Sequence, residues 1–268
     1  MRRRMIALGA LAAVMGAVPR LAHAQAEQQA LVDRATLTVQ EMMSDGDPNA
    51  LRDANTTLSR ARAVIICPRI FRAGFLFGGQ GGDCVLTARD GAGSWSSPAF
   101  YTIGSASFGL QIGVQDMSVM MMILTDKGLN AVMDSQFKIG ADASVAVAAI
   151  GAGIAGATTA AVGADIVSFA RTRGLYAGIS LEGSLLSSRS DFNQGYYGQP
   201  VAARQIVVAM QAHNPAADPL RATLMRYSTP GQQPMAAAPA QGGTPMQQGG
   251  TPMMQAAPSG AVTRETLR

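Results

Sequence analysis

Histidine is nearly missing from this sequence: there are two in 268 residues, beside two cysteines and one tryptophan. Zinc centres need about four His, Cys or acidic ligands within reach of one ion, so a Cys/His metal site fails on supply. Acidic residues stand singly in turns (Asp83, Asp90, Asp116, Asp126, Asp134, Asp142), with no calcium loop and no pair spaced for acid–base work. Charged residues make up only 14% and aromatic ones 5% of the chain. An excess of one charge is missing as well, once the N-terminal segment is considered.

Arg2, Arg3 and Arg4 precede an apolar run from Met5 to Val18, and Ala22-His23-Ala24 is a small-x-small cleavage site. That arrangement is a secretory leader over residues 1–24; Arg2-Arg3 also fits a twin-arginine signal, and the export route stays open between the two. The whole chain carries 21 basic and 17 acidic residues. Cleavage removes Arg2, Arg3, Arg4 and Arg20 and no acid, leaving 17 of each. The pI near 9.4 is therefore a property of the leader, and the mature chain offers no global electrostatic case for nucleic acid. The expected location is the periplasm, the outer-membrane periphery or the medium.

Three segments follow from composition: the leader, a domain over 25–228 (helical over 25–62, sheet-rich over 63–228), and a tail over 229–268 rich in Gly, Pro, Gln and Met. QGGTPM occurs twice in that tail, which cannot bury enough apolar surface to offset its ordering entropy and reads as disordered. In the domain, Leu31, Val32, Ala35, Val39, Met42 and Met43 recur at helical spacing over 26–43. Asp47-Pro48 starts a second helix with an acidic N-cap and proline at the first helical position. Short β-type runs follow at 63–67, 74–77, 85–88, 118–124 and 175–181, with a helix at 125–133 and a closing strand or helix over 199–210. Val145 to Val167 is almost continuously apolar, but its alanine and glycine content and flanking Asp142 and Asp165 argue against a membrane span. No transmembrane helix is expected in the mature chain.

Two enzymatic motifs are weighed and set aside. Gly151 to Gly156 matches G-x-G-x-x-G after a strand-like 145–150, yet no acidic residue follows at the spacing dinucleotide binding requires. Ser107 lies in a degenerate serine-hydrolase elbow with Ser105 in place of the first glycine, and the base left to serve it is His213, in a polar segment before Asn214-Pro215. No cofactor and no catalytic residue is assigned. Cys67 and Cys84 end two neighbouring candidate strands; a disulfide and a pair of buried free thiols both fit an exported chain.

The local charge that stands out is Arg60, Arg62, Arg69 and Arg72, four arginines within 13 residues with no acid among them. Guanidinium groups suit phosphate oxygens, so the four are candidate lipid head-group ligands. Leu31, Val32, Val39 and Met42 of the first helix are candidate apolar contacts.

The stretch from 95 to 115, WSSPAFYTIGSASFGLQIGVQ, resembles the centre of the SYLF-domain family, to which the yeast actin-patch Ysc-type proteins are related. The resemblance runs from about Leu51 to Gly198. It includes Ala61 to Pro68, Ala73-Gly74-Phe75 with Gly78-Gly79 and Gly82, Trp95-Ser96 with Pro98, Gly104-Ser105 with Gly109 and Gln111-Ile112-Gly113, and a closing motif from Arg171 to Gly198. The chain departs from the family at Gly151 to Gly156, where a Gly-Pro turn with a basic residue is usual, and the two cysteines are not family features. The resemblance implies an α+β fold, a single domain of N-terminal helices on a strongly bent, largely antiparallel, barrel-like sheet. It also implies non-catalytic lipid binding with the N-terminal helix implicated. The expected partner is anionic phospholipid or other membrane lipid met peripherally; the alternative is an envelope structural or adhesive protein acting by protein contact or self-association.

Overall fold

The computed structural model describes residues 18–74, 77–108, 113–134, 136–149, 163–174, 181 and 183–229. Most of the leader, the Gly151–Gly156 motif, Leu175 to Ser180 and the tail from Pro230 lie outside the described residues.

Helix α1 spans Val18–Ser44, so it begins inside the segment read as leader and runs through the expected cleavage site. Helix α2, Pro48–Arg60, starts as its sequence dictates: the Asp47 carboxylate accepts from the amides of Asn49 (2.9 Å) and Ala50 (3.2 Å). Eight strands follow: β1 Ala63–Gly74, β2 Phe77–Ala88, β3 Ala99–Phe108, β4 Gly113–Ile123, β5 Gln136–Lys138, β6 Val145–Ala149, β7 Ile166–Gly174 and β8 Leu185–Ser188. Helix α3, Asp126–Met133, separates β4 from β5. Helices α4 Ser190–Tyr197, α5 Ala203–Val207 and α6 Asp218–Ser228 complete the domain. The closing element over 199–210 is thus a short helix, and α4 and α6 were not foreseen.

The strands form one sheet in the order β5-β8-β3-β2-β1-β4-β7-β6. Every pairing is antiparallel except β6 with β7. The two outermost strands, β5 and β6, are joined by the short segment 139–144, and Ile139 bridges Ala143 within it. A sheet whose first and last strands are that close in the chain has to curl, and here it forms half of a barrel. The fold class is α+β.

Both faces of the curled sheet are covered, so the strand cores read as unbroken apolar runs instead of alternating ones. Ala63, Ile65 and Cys67 of β1 meet Met117, Val119, Met121 and Ile123 of β4 in an inner layer with Phe137, Val132, Ile206 and Val207. Val64 and Ile66, with Met120, Met122, Val167 and Phe169, face the other way. This outer layer is closed by α1, α2, α4 and α6 through residues such as Val39, Leu58, Tyr196 and Leu220, and it encloses Trp95 and Phe100. Strands β1, β2 and β3 are longer than periodicity indicates because they continue past the core, to an end where β2 is rich in glycine (Gly78, Gly79, Gly81 and Gly82). β1 carries one extra residue against both neighbours, a bulge at Pro68-Arg69 between Ile66 and Phe71.

Asp165 fastens the junction of β6, β7 and α3. Its carboxylate accepts from Thr125 Oγ1 (2.7 Å), Ser144 Oγ (2.9 Å), the Ser144 amide (3.1 Å) and Lys127 Nζ (3.1 Å). Thr125 in turn caps α3 by accepting from the Gly128 amide at 3.0 Å.

Candidate functional site

Beside the β1 bulge, strands β1 and β2 and helix α1 enclose a cleft of about 650 Å³. Leu31 and Arg34 form its helix side, and Arg69, Phe71, Gly82 and Asp83 are among its sheet-side walls. The bulge explains the shape: it pushes the Pro68-Arg69 backbone out of the strand. Gly82 lies beneath it, where an added Cβ would collide with the Arg69 carbonyl oxygen and sit 3.1 Å from Ile70 Cα. Cys67 and Cys84, immediately before the bulge and across from it, are joined as a disulfide.

The charges around the cleft are unequal. Arg69 Nε donates to the Asp116 carboxylate at 2.6 Å, with its guanidinium carbon 5.9 Å from the Phe71 ring centroid. Asp83 receives Arg189 Nη1 at 3.0 Å. Arg189 also pairs with Asp191 at 2.9 Å and lies 3.5 Å over the Phe192 ring. The hydrogen bonds between them hold the Asp191 carboxyl below its ordinary pKa and raise that of Arg189. Asp83 is thereby neutralised, whereas the exposed Arg34 guanidinium has no acidic partner among the described residues.

Beyond the reach of α1, the same face of the sheet displays apolar side chains. Phe71, Phe77 and Val114 are 43%, 71% and 62% exposed. Val114 pairs with Ala73 and Phe71 with Asp116, so the group clusters at the glycine-rich end. Large apolar residues left in the open on a short strip are a signature of a contact surface.

Several sequence-based assignments need correction. Leu31, Val32, Val39 and Met42 are buried against the sheet, so in this fold they are core and not a membrane-facing surface. The four arginines do not form one patch. Arg60 ends α2 and Arg62 pairs with Asp126 at 2.7 Å, whereas Arg69 lies at the middle of β1 and Arg72 near its far end, roughly 20 and 30 Å along the extended strand. Arg72 leaves the sheet on the inner face, beside Gln80 and Gln115, away from the cleft. Arg34, Phe77 and Val114 were missed. Phe77 and Val114 sit among glycines where no core periodicity accounts for them, which was the available signal.

The hydrolase reading is not assembled. His213 Nδ1 is 3.2 Å from Ser97 Oγ, while Ser107 lies near the far end of β3, paired with Gly78. Ser97 is buried and also receives the Asn214 amide at 3.4 Å, so this contact latches the segment before α6 to the sheet. Tyr197 donates to the Pro98 carbonyl at 2.6 Å in the same latch, and burial pushes its phenol well above the ordinary range. Among the described residues no group of three or more His, Cys, Asp and Glu is placed to hold a metal ion, and no helix is long and apolar enough to cross a membrane.

Comparison with known proteins places this architecture. Residues 104–227, from β3 to α6, match the family model described as Ysc84, Las17-binding protein actin regulator. An SH3 domain-containing protein of Schizosaccharomyces pombe is 32% identical over 169 residues, 62% of this chain and 39% of that protein. LAS seventeen-binding protein 3 of Saccharomyces cerevisiae is 30% identical over 166 residues, 61% and 36% respectively. The human SH3 domain-containing YSC84-like protein 1 is 29% identical over 168 residues, 62% and 48%. The chain thus spans less than half the length of each of these relatives. Residues 104–227 thus form a domain of the Ysc84, or SYLF-domain, type.

Proposed function

We propose that this chain is an exported, non-catalytic lipid-binding module that docks on anionic membrane lipid with the glycine-rich end of its sheet. The observation that carries the reading is the exposed trio Phe71, Phe77 and Val114 beside Arg34, which has no acidic partner among the described residues. Aromatic and aliphatic side chains there enter the head-group boundary, while guanidinium groups attract anionic lipid at roughly 1 kcal/mol each near the surface. A buried disulfide between Cys67 and Cys84 suits an oxidising compartment. The apolar face of α1 supports the sheet in this reading, and its polar face contributes Arg34.

The test is flotation of the chain from Gln25 onward with phosphatidylglycerol and phosphatidylcholine vesicles, at low and high salt. The expected result is flotation with the anionic vesicles, weakened by salt because screening reduces the arginine contribution. A variant carrying Phe71→Ser, Phe77→Ser and Arg34→Glu should partition about tenfold less while keeping its circular dichroism. Flotation that this variant retains would refute the docking surface. Failure of the parent chain to float would favour the second reading, contact with protein or self-association, for which relatives named for binding Las17 are the motive.

A further inference from the structure

The inner face of the sheet changes character along its strands. Around Cys67, Cys84, Ile103 and Met117 it is apolar. Farther along, Gln80 of β2, Arg72 of β1 and Gln115 of β4 are direct register partners, so the three side chains leave the sheet on one side, about 5 Å apart from strand to strand. Gln80 and Gln115 are only 9% and 2% exposed. The Gln80 amide nitrogen donates to Ser184 Oγ at 2.8 Å, but its oxygen is unpartnered, and neither amide atom of Gln115 is bonded. Protein interiors leave few such groups unpaired, and here three atoms of two flanking side chains are.

The next row outward has no side chains. Gly78, Gly74 and Gly113 are register partners across the same three strands, each two residues beyond Gln80, Arg72 and Gln115 and therefore on the same face. The result is a strip of bare backbone three strands wide, bordered by two incompletely bonded amides and a guanidinium. Such a strip lets a flat group lie close to the sheet.

The orphan atoms specify what would complete them. The two amide oxygens need donors and the Gln115 nitrogen needs an acceptor. A bare anion answers only the nitrogen, and an apolar ligand answers none. Adjacent hydroxyl groups, each both donor and acceptor, answer all three. We propose that this row binds a hydroxyl-rich ring, a saccharide, either free or as the head group of a glycolipid. The site is on the opposite face of the sheet from the docking cleft and does not rest on the lipid-docking reading.

The test has two arms on the full chain: melting with glucose, galactose, mannose and N-acetylglucosamine, and sedimentation with phosphatidylcholine vesicles with and without galactosyl diacylglycerol. The expected result is a saturable rise in Tm with at least one sugar, or sedimentation only with the glycolipid vesicles. The responding arm identifies the source. Gln115→Leu, which removes two orphan atoms, and Gly74→Val, which fills the strip, should each weaken the response about tenfold or more. The unliganded Tm of each variant reports whether it folds, and Gln115→Leu is expected to melt no lower than the parent. No response in either arm, or a response that both variants retain, overturns the proposal. Arg34→Glu impairs docking through the cleft but leaves the saccharide response unchanged, so the two readings fail separately.

Discussion

At the scale of single residues, Asp165 shows how one side chain can commit three elements to one arrangement. Its four hydrogen bonds come from Thr125, Ser144 and Lys127; those from Thr125 and Ser144 are the main reason its carboxyl titrates far below the ordinary carboxylate range. A carboxylate whose folded pKa is depressed adds stability that is fully present above its unfolded pKa of about 3.9. That stability is lost as pH falls through the lower folded value. Asp165→Asn should therefore lower stability by about 2 kcal/mol at neutral pH. The gap to the parent should hold down to about pH 4 and narrow below it. Urea titrations at pH 7, 4 and 2.5 would measure this, and a gap independent of pH would mean that the charge is not what matters.

At the scale of elements, legibility tracked how local the cause was. The start of α2 was plain because Asp47-Pro48 caps its own helix, and the helix after Thr125, also found, has an equally local cap in the Thr125 hydroxyl. The β1 bulge was not legible, since it depends on where β2 and β4 lie against it. The glycine-rich half of β2 looked like a turn because it lacks side chains to show a period. The apolar stripe of α1 was found but given the wrong partner: a helix presents the same stripe to a sheet as to a membrane. The four arginines looked like a patch because neighbours in sequence become distant when the strand is extended. The bulge itself is testable. In Gly82→Ala the new methyl meets backbone of Arg69 and Ile70, which cannot swing aside, so a loss of about 1–3 kcal/mol is expected. Gly81→Ala, whose nearest contact is the Ile103 carbonyl at 3.7 Å, should cost less than ~1 kcal/mol. Equal losses in the two melting curves would remove the bulge as the cause.

At the scale of the whole molecule, one sheet serves two cores. The inner layer holds Phe137, Ile206 and Val207, the outer one the helices and Trp95, and strands β1 and β4 contribute alternate residues to both. Neither layer can dissolve while the other keeps its strands in register, so unfolding should be a single cooperative step. The sole tryptophan makes this measurable. Trp95 is buried in the outer layer, with its Nε1 donating to Ser228 Oγ of α6 at 3.2 Å, so its fluorescence follows that layer, whereas far-ultraviolet dichroism follows the whole sheet. The two denaturation curves should coincide. A fluorescence midpoint clearly below the dichroism midpoint would show that the helical layer leaves first.

The short link between β5 and β6 has a consequence for how the protein behaves in crowded solution. The outermost strand of an open sheet offers unpaired backbone groups to any passing chain, and long flat edges recruit copies of themselves into aggregates. Here the two terminal strands are only three and five residues long. The first carries Lys138, and the segment 139–144 draws the pair together through the Ile139–Ala143 bridge. Among the described residues, the curl that shapes the inner face thus also leaves two short edges close together, an arrangement that disfavours edge-to-edge pairing. In a chain with only 14% charged residues, short and curled edges are expected to oppose clumping where surface repulsion is weak.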